Sequence, residues 1–191
     1  MNTVRAFIAV EIDEPNKQKI CGLISGLKKS EADAKWITED QMHLTLKFLG
    51  NIDKSEIQKI SDALSDIADN FNSFKINFSE IGAFPNMNRP AVIWLGIDKG
   101  AGILKMLNEK IETALEKIGF RQENREFKPH LTLARIRSPK NMPNLIKLIK
   151  ETSFNSGDND SRINKLALFQ SALNPKGAVH TIILQKYLQN I

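Results

Sequence analysis

Apolar and polar positions alternate along the chain in two rhythms: short runs that suit strands, and stripes at helical spacing. Val4 to Glu11 is a short apolar run rich in Val, Ile and Phe, which predicts a buried strand. After Pro15, the residues Ile20, Leu23, Ile24 and Leu27 recur at i, i+3, i+4 and i+7 and predict a helix with one buried face. A strand carrying His43 to Leu49 follows, with Gly50 at its predicted end. Asp53 and Glu56 have the spacing of a capping box ahead of a second helix, whose buried face is Ile57, Ile60, Leu64 and Ile67.

The same alternation continues to the end. Phe74, Ile76 and Phe78 alternate with Lys75 and Asn77, the period of a half-buried strand. Ala91 to Ile97 is a further apolar strand, and Ile103, Leu104, Leu107, Ile111 and Leu115 mark a third helix closed by Gly119. A strand from His130 to Ile136 and a short helix around Leu145 to Ile149 come next. NSGDND at 155–160 is a loop by composition. Arg162 to Leu173 and Val179 to Leu184 are the closing strands, with a Pro175–Gly177 turn between them.

An internal repeat organises this order. The tetrapeptide His-Leu-Thr-Leu occurs at 43–46 and again at 130–133, 87 residues later. That offset places Phe7 on Trp94, and Lys75-Ile76-Asn77 on Arg162-Ile163-Asn164. Strand, helix, histidine strand, helix, strand therefore appears twice, as a duplicated unit with pseudo-twofold symmetry would leave behind. Two of the three histidines are followed by the same three residues, which makes the match far more specific than its length suggests.

Strand geometry gives the tetrapeptide a chemical reading. Residues i and i+2 share a face, so His43 and Thr45 point one way while Leu44 and Leu46 anchor the other side. His130 and Thr132 repeat the arrangement. Symmetry then brings two imidazoles and two hydroxyls to one cleft. In-line displacement at phosphorus needs a base for the nucleophile and an acid for the leaving oxygen. Two imidazoles with an ordinary pKa near 6.5 can hold those complementary states. Threonine hydroxyls can donate to the non-bridging oxygens as charge builds there. No metal or other cofactor is called for, since only two histidines converge and a zinc site needs three or more ligands. P-loop, dinucleotide-binding and Gly-x-Ser-x-Gly motifs are all absent.

Composition narrows the setting. With 41% hydrophobic and 26% charged residues, the chain is an ordinary globular mixture and not a disordered one. The single cysteine, Cys21, excludes an internal disulfide and a cysteine-built zinc site. No apolar run approaches the roughly 18 residues that span a bilayer. The start, MNTVRAFIAVEIDEP, lacks the pattern of a signal peptide, so a cytoplasmic protein without membrane contact is expected. The net charge of +5 suits a polyanionic partner.

HLTLKFLG at 43–50 and FKPHLTLARI at 127–136 resemble the two signature motifs of the two-histidine phosphoesterase superfamily. Within it, the similarity is strongest to the RNA 2′,3′-cyclic phosphodiesterases, historically called 2′-5′ RNA ligases. VRAFIAVEI at 4–12 and AVIWLGI at 91–97 extend the resemblance to nearly the whole chain. It implies a bilobal α+β fold with antiparallel sheets flanking a central cleft and helices outside. The expected organisation is one two-lobed domain over 1–191, with repeats near 4–84 and 91–173 and a closing strand at 178–187.

The implied reaction opens a 2′,3′-cyclic phosphate at an RNA 3′ end and leaves a 2′-phosphate. By analogy His43 is the proton donor to the leaving 3′ oxygen and His130 the proton acceptor from water. The implied partners are RNA ends, including tRNA fragments, and nucleotides, bound by a monomer. Ligation of RNA ends at the same site, and RNA-end binding without catalysis, are the alternatives.

Further residues are candidates for substrate binding. Lys47 shares parity with His43, so on a regular strand it faces the cleft. Arg135, five residues past His130, faces away unless a bulge intervenes. Arg5 shares a face with Phe7, the one a phosphate contact and the other a stacking surface. Arg121, Arg125, Lys128 and Arg137 surround the second motif as a candidate rim. The chain departs from the family pattern twice. An arginine usual ahead of the central tryptophan strand falls on Ala91, with Arg89 nearby, and a usual tyrosine is His180, a substrate-binding candidate that can replace it in stacking or hydrogen bonding with the ligand.

Overall fold

The computed structural model describes residues 2–154, 160–174 and 177–190. The first half runs β1 (Thr3–Glu11), α1 (Glu14–Lys28), β2 (Ala34–Trp36), β3 (His43–Asp53), α2 (Ile57–Ala68), β4 (Phe74–Ile76) and β5 (Phe78–Phe84). The second runs β6 (Val92–Ile97), α3 (Ala101–Glu116), β7 (His130–Ile136), α4 (Met142–Glu151), β8 (Ser161–Ile163), β9 (Lys165–Asn174) and β10 (Gly177–Tyr187). Two four-stranded sheets carry the lobes, in the orders β10-β9-β1-β3 and β2-β7-β6-β5, and β4 pairs with β8 in a small third sheet. Every pairing within these sheets is antiparallel, so the fold is the α+β arrangement expected.

The helices form where the apolar stripes predict. Asp13 caps α1, its carboxylate accepting from the Asn16 amide at 3.1 Å, and Ile20, Leu23, Ile24 and Leu27 are buried beneath it. Glu56 accepts from the Asp53 amide at 2.8 Å, and Asp53 accepts from Ser55 at 2.9 Å, so this box caps a short 3₁₀ turn that leads into α2. On α3, Leu104, Leu107, Ile111 and Leu115 are buried, whereas Ile103 lies on the exposed side. The strand predicted to end at Gly50 continues to Asp53, because Gly50 takes φ +71° and lets the chain keep its partner β1. The predicted Arg162–Leu173 strand is divided between β8 and β9. Residues 155–159, and most of the predicted Pro175–Gly177 turn, lie outside the described residues.

The duplication is visible in the pairing. Lys75 and Arg162, equivalent by the 87-residue offset, are direct cross-strand partners in β4 and β8, as an axis relating the two halves requires. One expected equivalence shifts. Against the histidine strands, Ala9 stands opposite Thr45 while Trp94 stands opposite Thr132, so Trp94 matches Ala9 and Phe7 matches Val92. The shift is two residues, which preserves the face each side chain occupies. The neighbours follow: Ala9 pairs with Ala167, and Trp94 pairs with Gly82. A Cβ on Gly82 would lie 2.1 Å from the Trp94 ring, so only glycine leaves the indole its place there.

β2 was not predicted. Three residues of the first half extend the sheet of the second, pairing Trp36 with Ala134 and Lys35 with Arg135. So short a strand is stabilised by the edge of β7 that it covers, not by any pattern of its own.

Candidate active site

A cleft of about 880 Å³ lies between the two four-stranded sheets. His43, Thr45, His130, Thr132, Arg5, Phe7, Arg135 and His180 all line it, and Lys47 does not. His43, Thr45 and His180 come from β3 and β10, Arg5 and Phe7 from β1, and His130, Thr132 and Arg135 from β7. Leu44, Leu46, Leu131 and Leu133 are all buried, as anchors of the His-x-Thr alternation should be.

The two exceptions to simple alternation have one cause. In β3, Ile8 faces Lys47 and Ala9 faces Thr45, leaving Leu46 without a partner in β1. In β7, Ile93 faces Ala134 and Trp94 faces Thr132, leaving Leu133 unpaired against β6. Each histidine strand thus bulges at the second leucine of its tetrapeptide, and parity inverts beyond that point. Lys47 therefore does not face the cleft as expected. It is 2% exposed, and its ammonium forms a buried ion pair with Glu112 and donates to the Arg121 carbonyl at 2.8 Å. Phe48 takes the cleft position, 53% exposed. The bulge does the converse for Arg135, which a regular strand would have turned away and which now lines the cleft.

The imidazoles stand on aromatic floors. His43 lies 4.9 Å from Phe7 and 5.3 Å from Phe169, with the edge of His180 at 5.0 Å. Burial, and then the neighbouring His180, push the His43 pKa down to about 3. His130 packs edge-on to Phe84 at 5.0 Å and beside Trp94 at 6.2 Å. Burial lowers its pKa as well, opposed by a 2.6 Å contact between Nδ1 and the Lys128 carbonyl. A carbonyl only accepts, so Nδ1 carries the proton and the neutral ring keeps its lone pair on Nε2. His180 is likewise lowered by burial, and its Nδ1 is buried with no hydrogen-bond partner among the described residues.

The rim is only partly as predicted. Arg125 and Lys128 line the cleft, whereas Arg121, Arg137 and the exposed Arg89 do not. Lys35, Trp36, Gln41, Asn108 and Glu112 contribute to its walls without having been singled out. Nothing local marks them; they arrive with β2, the 3₁₀ turn Glu39–Gln41 and α3, whose docking is tertiary. Among the described residues, no three His, Cys, Asp or Glu side chains gather as a metal site. No described helix is long and apolar enough to cross a membrane.

Comparison with known proteins agrees with the duplicated architecture. The family model for LigT-like phosphoesterases matches twice, over residues 10–94 and 95–180. An RNA 2′,3′-cyclic phosphodiesterase of Methanothermobacter thermautotrophicus is 32% identical, covering 93% of this chain and 95% of that protein. Another of Aeropyrum pernix is 34% identical, covering 79% of this chain and 84% of its own. Among solved structures, a Thermus thermophilus protein, TT0787, superposes with a TM-score of 0.83 at 24% identity, covering 97% of this chain and 98% of that one. Escherichia coli LigT complexed with 3′-AMP has a TM-score of 0.77 at 21% identity, covering 98% and 99%.

Proposed function

Because the chain belongs to the LigT-like phosphoesterase family, we propose that it is an RNA 2′,3′-cyclic phosphodiesterase working by two-histidine acid–base catalysis. The observation that carries the reading is the convergence of His43, Thr45, His130 and Thr132 on one cleft from equivalent places in two halves. The names of the relatives supply the substrate class.

In the proposed reaction, His130 Nε2 takes a proton from water as the water oxygen bonds to phosphorus. The bond from phosphorus to the 3′ oxygen breaks on the opposite side, and His43 gives that oxygen its proton. The products are a 2′-phosphate and a 3′-hydroxyl, and solvent restores the two rings. The tautomer held by Lys128 suits His130 to the accepting role, since its Nε2 lone pair is free. His43 by itself is neutral near pH 7, and an arriving phosphate anion favours its charged form. Thr45 and Thr132 donate to the non-bridging oxygens, and Arg135 balances their charge. Arg5, Phe7 and His180 hold the nucleoside side of the substrate. The chemistry draws on no metal.

The test is incubation with a 2′,3′-cyclic-phosphate oligonucleotide in EDTA, followed by identification of the terminal phosphate. A 2′-phosphate is expected. An unchanged cyclic end, with RNA still bound in a salt-dependent way, would replace this reading by RNA-end binding alone.

A further inference from the structure

The residues bulged in β3 and β7, Leu46 and Leu133, each present a carbonyl to a donor from the other half of the molecule. Leu133, in the second half, accepts from the backbone amide of Ile37, which follows β2 of the first half, at 3.0 Å. Leu46, in the first half, accepts from the Asn108 side-chain amide on α3 of the second half, at 2.9 Å. The two contacts differ in kind because the edges differ. β7 has β2 beyond it, whereas β3 is the last strand of its sheet, with no further strand beside it among the described residues. Asn108 is 8% exposed, and one helical turn later Glu112 holds Lys47, the residue that follows the bulge. The 87-residue equivalents on α1, Cys21 and Ser25, make no such tie; Ser25 donates instead to the Cys21 carbonyl within its own helix.

We infer that Asn108 is a positioning residue, whose bond to Leu46 keeps the β3 bulge and so aims His43 and Thr45 at the substrate bound against the second lobe. The bulge follows Thr45 directly and decides which of Lys47 and Phe48 enters the cleft. A strand that straightened at Leu46 would drive Lys47 toward the cleft and Phe48 toward the core. That change would move the histidine strand without touching any reacting group. The inference rests on the phosphodiesterase reading for its kinetic arm, and on geometry alone for its spectroscopic arm.

Asn108→Ala and Asn108→Asp test it, with cyclic-ended oligonucleotide as substrate and NMR titration of the imidazoles as a second readout. Asn108→Ala should lower kcat by about tenfold to a hundredfold, the scale of a small misplacement at a reacting centre, with KM changed by less than about threefold. Its His43 titration midpoint should move while that of His130 stays. Asn108→Asp cannot donate to Leu46 while ionised, so its kcat should be low at pH 8 and recover relative to wild type in acid, where the protonated carboxyl donates. A folded Asn108→Ala with wild-type kcat and an unmoved His43 midpoint overturns the inference. So does a kcat loss that equals the unfolded fraction measured by circular dichroism. If wild-type protein turns over no cyclic end, the parent reading fails and the His43 midpoint alone decides this one.

Discussion

Phe48 and Arg135 occupy the same place in the two halves, each five residues after a cleft histidine and two after a bulged leucine, and both line the cleft. One half therefore offers an exposed aromatic ring where the other offers a guanidinium. The near-symmetric cleft is polarised by this pair, one side suited to stacking and the other to phosphate.

The polarity separates two variants. Arg135→Ala removes a charge-assisted contact, so KM for a cyclic-ended oligonucleotide should rise about tenfold or more and its salt dependence should flatten. Phe48→Ala removes a stacking surface worth about 1–3 kcal/mol and should weaken binding at every salt concentration alike. Equal salt slopes in the two variants would show that Arg135 does not meet phosphate.

The proposed acid and base are tested directly. His43→Ala and His130→Ala should each lower kcat by about 10²–10⁴-fold while the melting temperature stays within a few degrees of wild type. Release of terminal 2′-phosphate is the readout. A variant keeping half the wild-type rate would remove its histidine from the chemistry.

Stability should fall in acid in a definite window. His43 is neutral in both folded and unfolded chains above about pH 6.5. Below that the unfolded chain takes up a proton that the folded chain refuses until about pH 3, so stability declines as pH drops between those limits. The loss amounts to a few kcal/mol at most, on the order expected for a shift of that size in a group with some contact to water. His130 and His180 act in the same direction. In urea unfolding from pH 7 to pH 4, His43→Gln should show a shallower decline than wild type; identical slopes would contradict the burial argument.

The Lys47–Glu112 pair is buried and asymmetric in its satisfaction. Glu112 Oε2 meets Lys47 and also the Glu123 amide at 3.3 Å, while Oε1 has no partner among the described residues. Lys47→Met or Glu112→Leu alone leaves one buried charge unpaired, which costs about 3–5 kcal/mol. The double variant should recover most of that loss. Additive effects in a urea-unfolding cycle would mean the pair does not interact as the geometry states.

Gly82→Ala probes the floor under His130. The added methyl meets the Trp94 ring, which itself packs 5.3 Å from Phe84, so relief requires displacing a packed aromatic. A destabilisation of about 1–3 kcal/mol is expected, with a shift in tryptophan fluorescence and a lower kcat. Unchanged fluorescence would show that the indole had room after all.

Much of this molecule is written locally. The apolar stripes of α1, α2 and α3, the His130–Ile136 strand and the repeated His-x-Thr motif depend on spacings of two to four residues, which any single stretch of sequence displays. Identity at an 87-residue offset adds the pseudo-symmetry. Beyond Leu46 and Leu133 that local rule stops working. Parity along a strand holds only while each residue has a ladder partner, and a bulge cancels it by one residue. The carbonyls of the two bulged leucines meet donors that no local pattern announces: Asn108, 62 residues from Leu46, and Ile37 in the half opposite Leu133. The reach of Arg135 into the cleft, the burial of Lys47 and the appearance of Phe48 follow from those bulges, which strand periodicity alone does not reveal, and a carbonyl removed from water finds its donor wherever the fold supplies one.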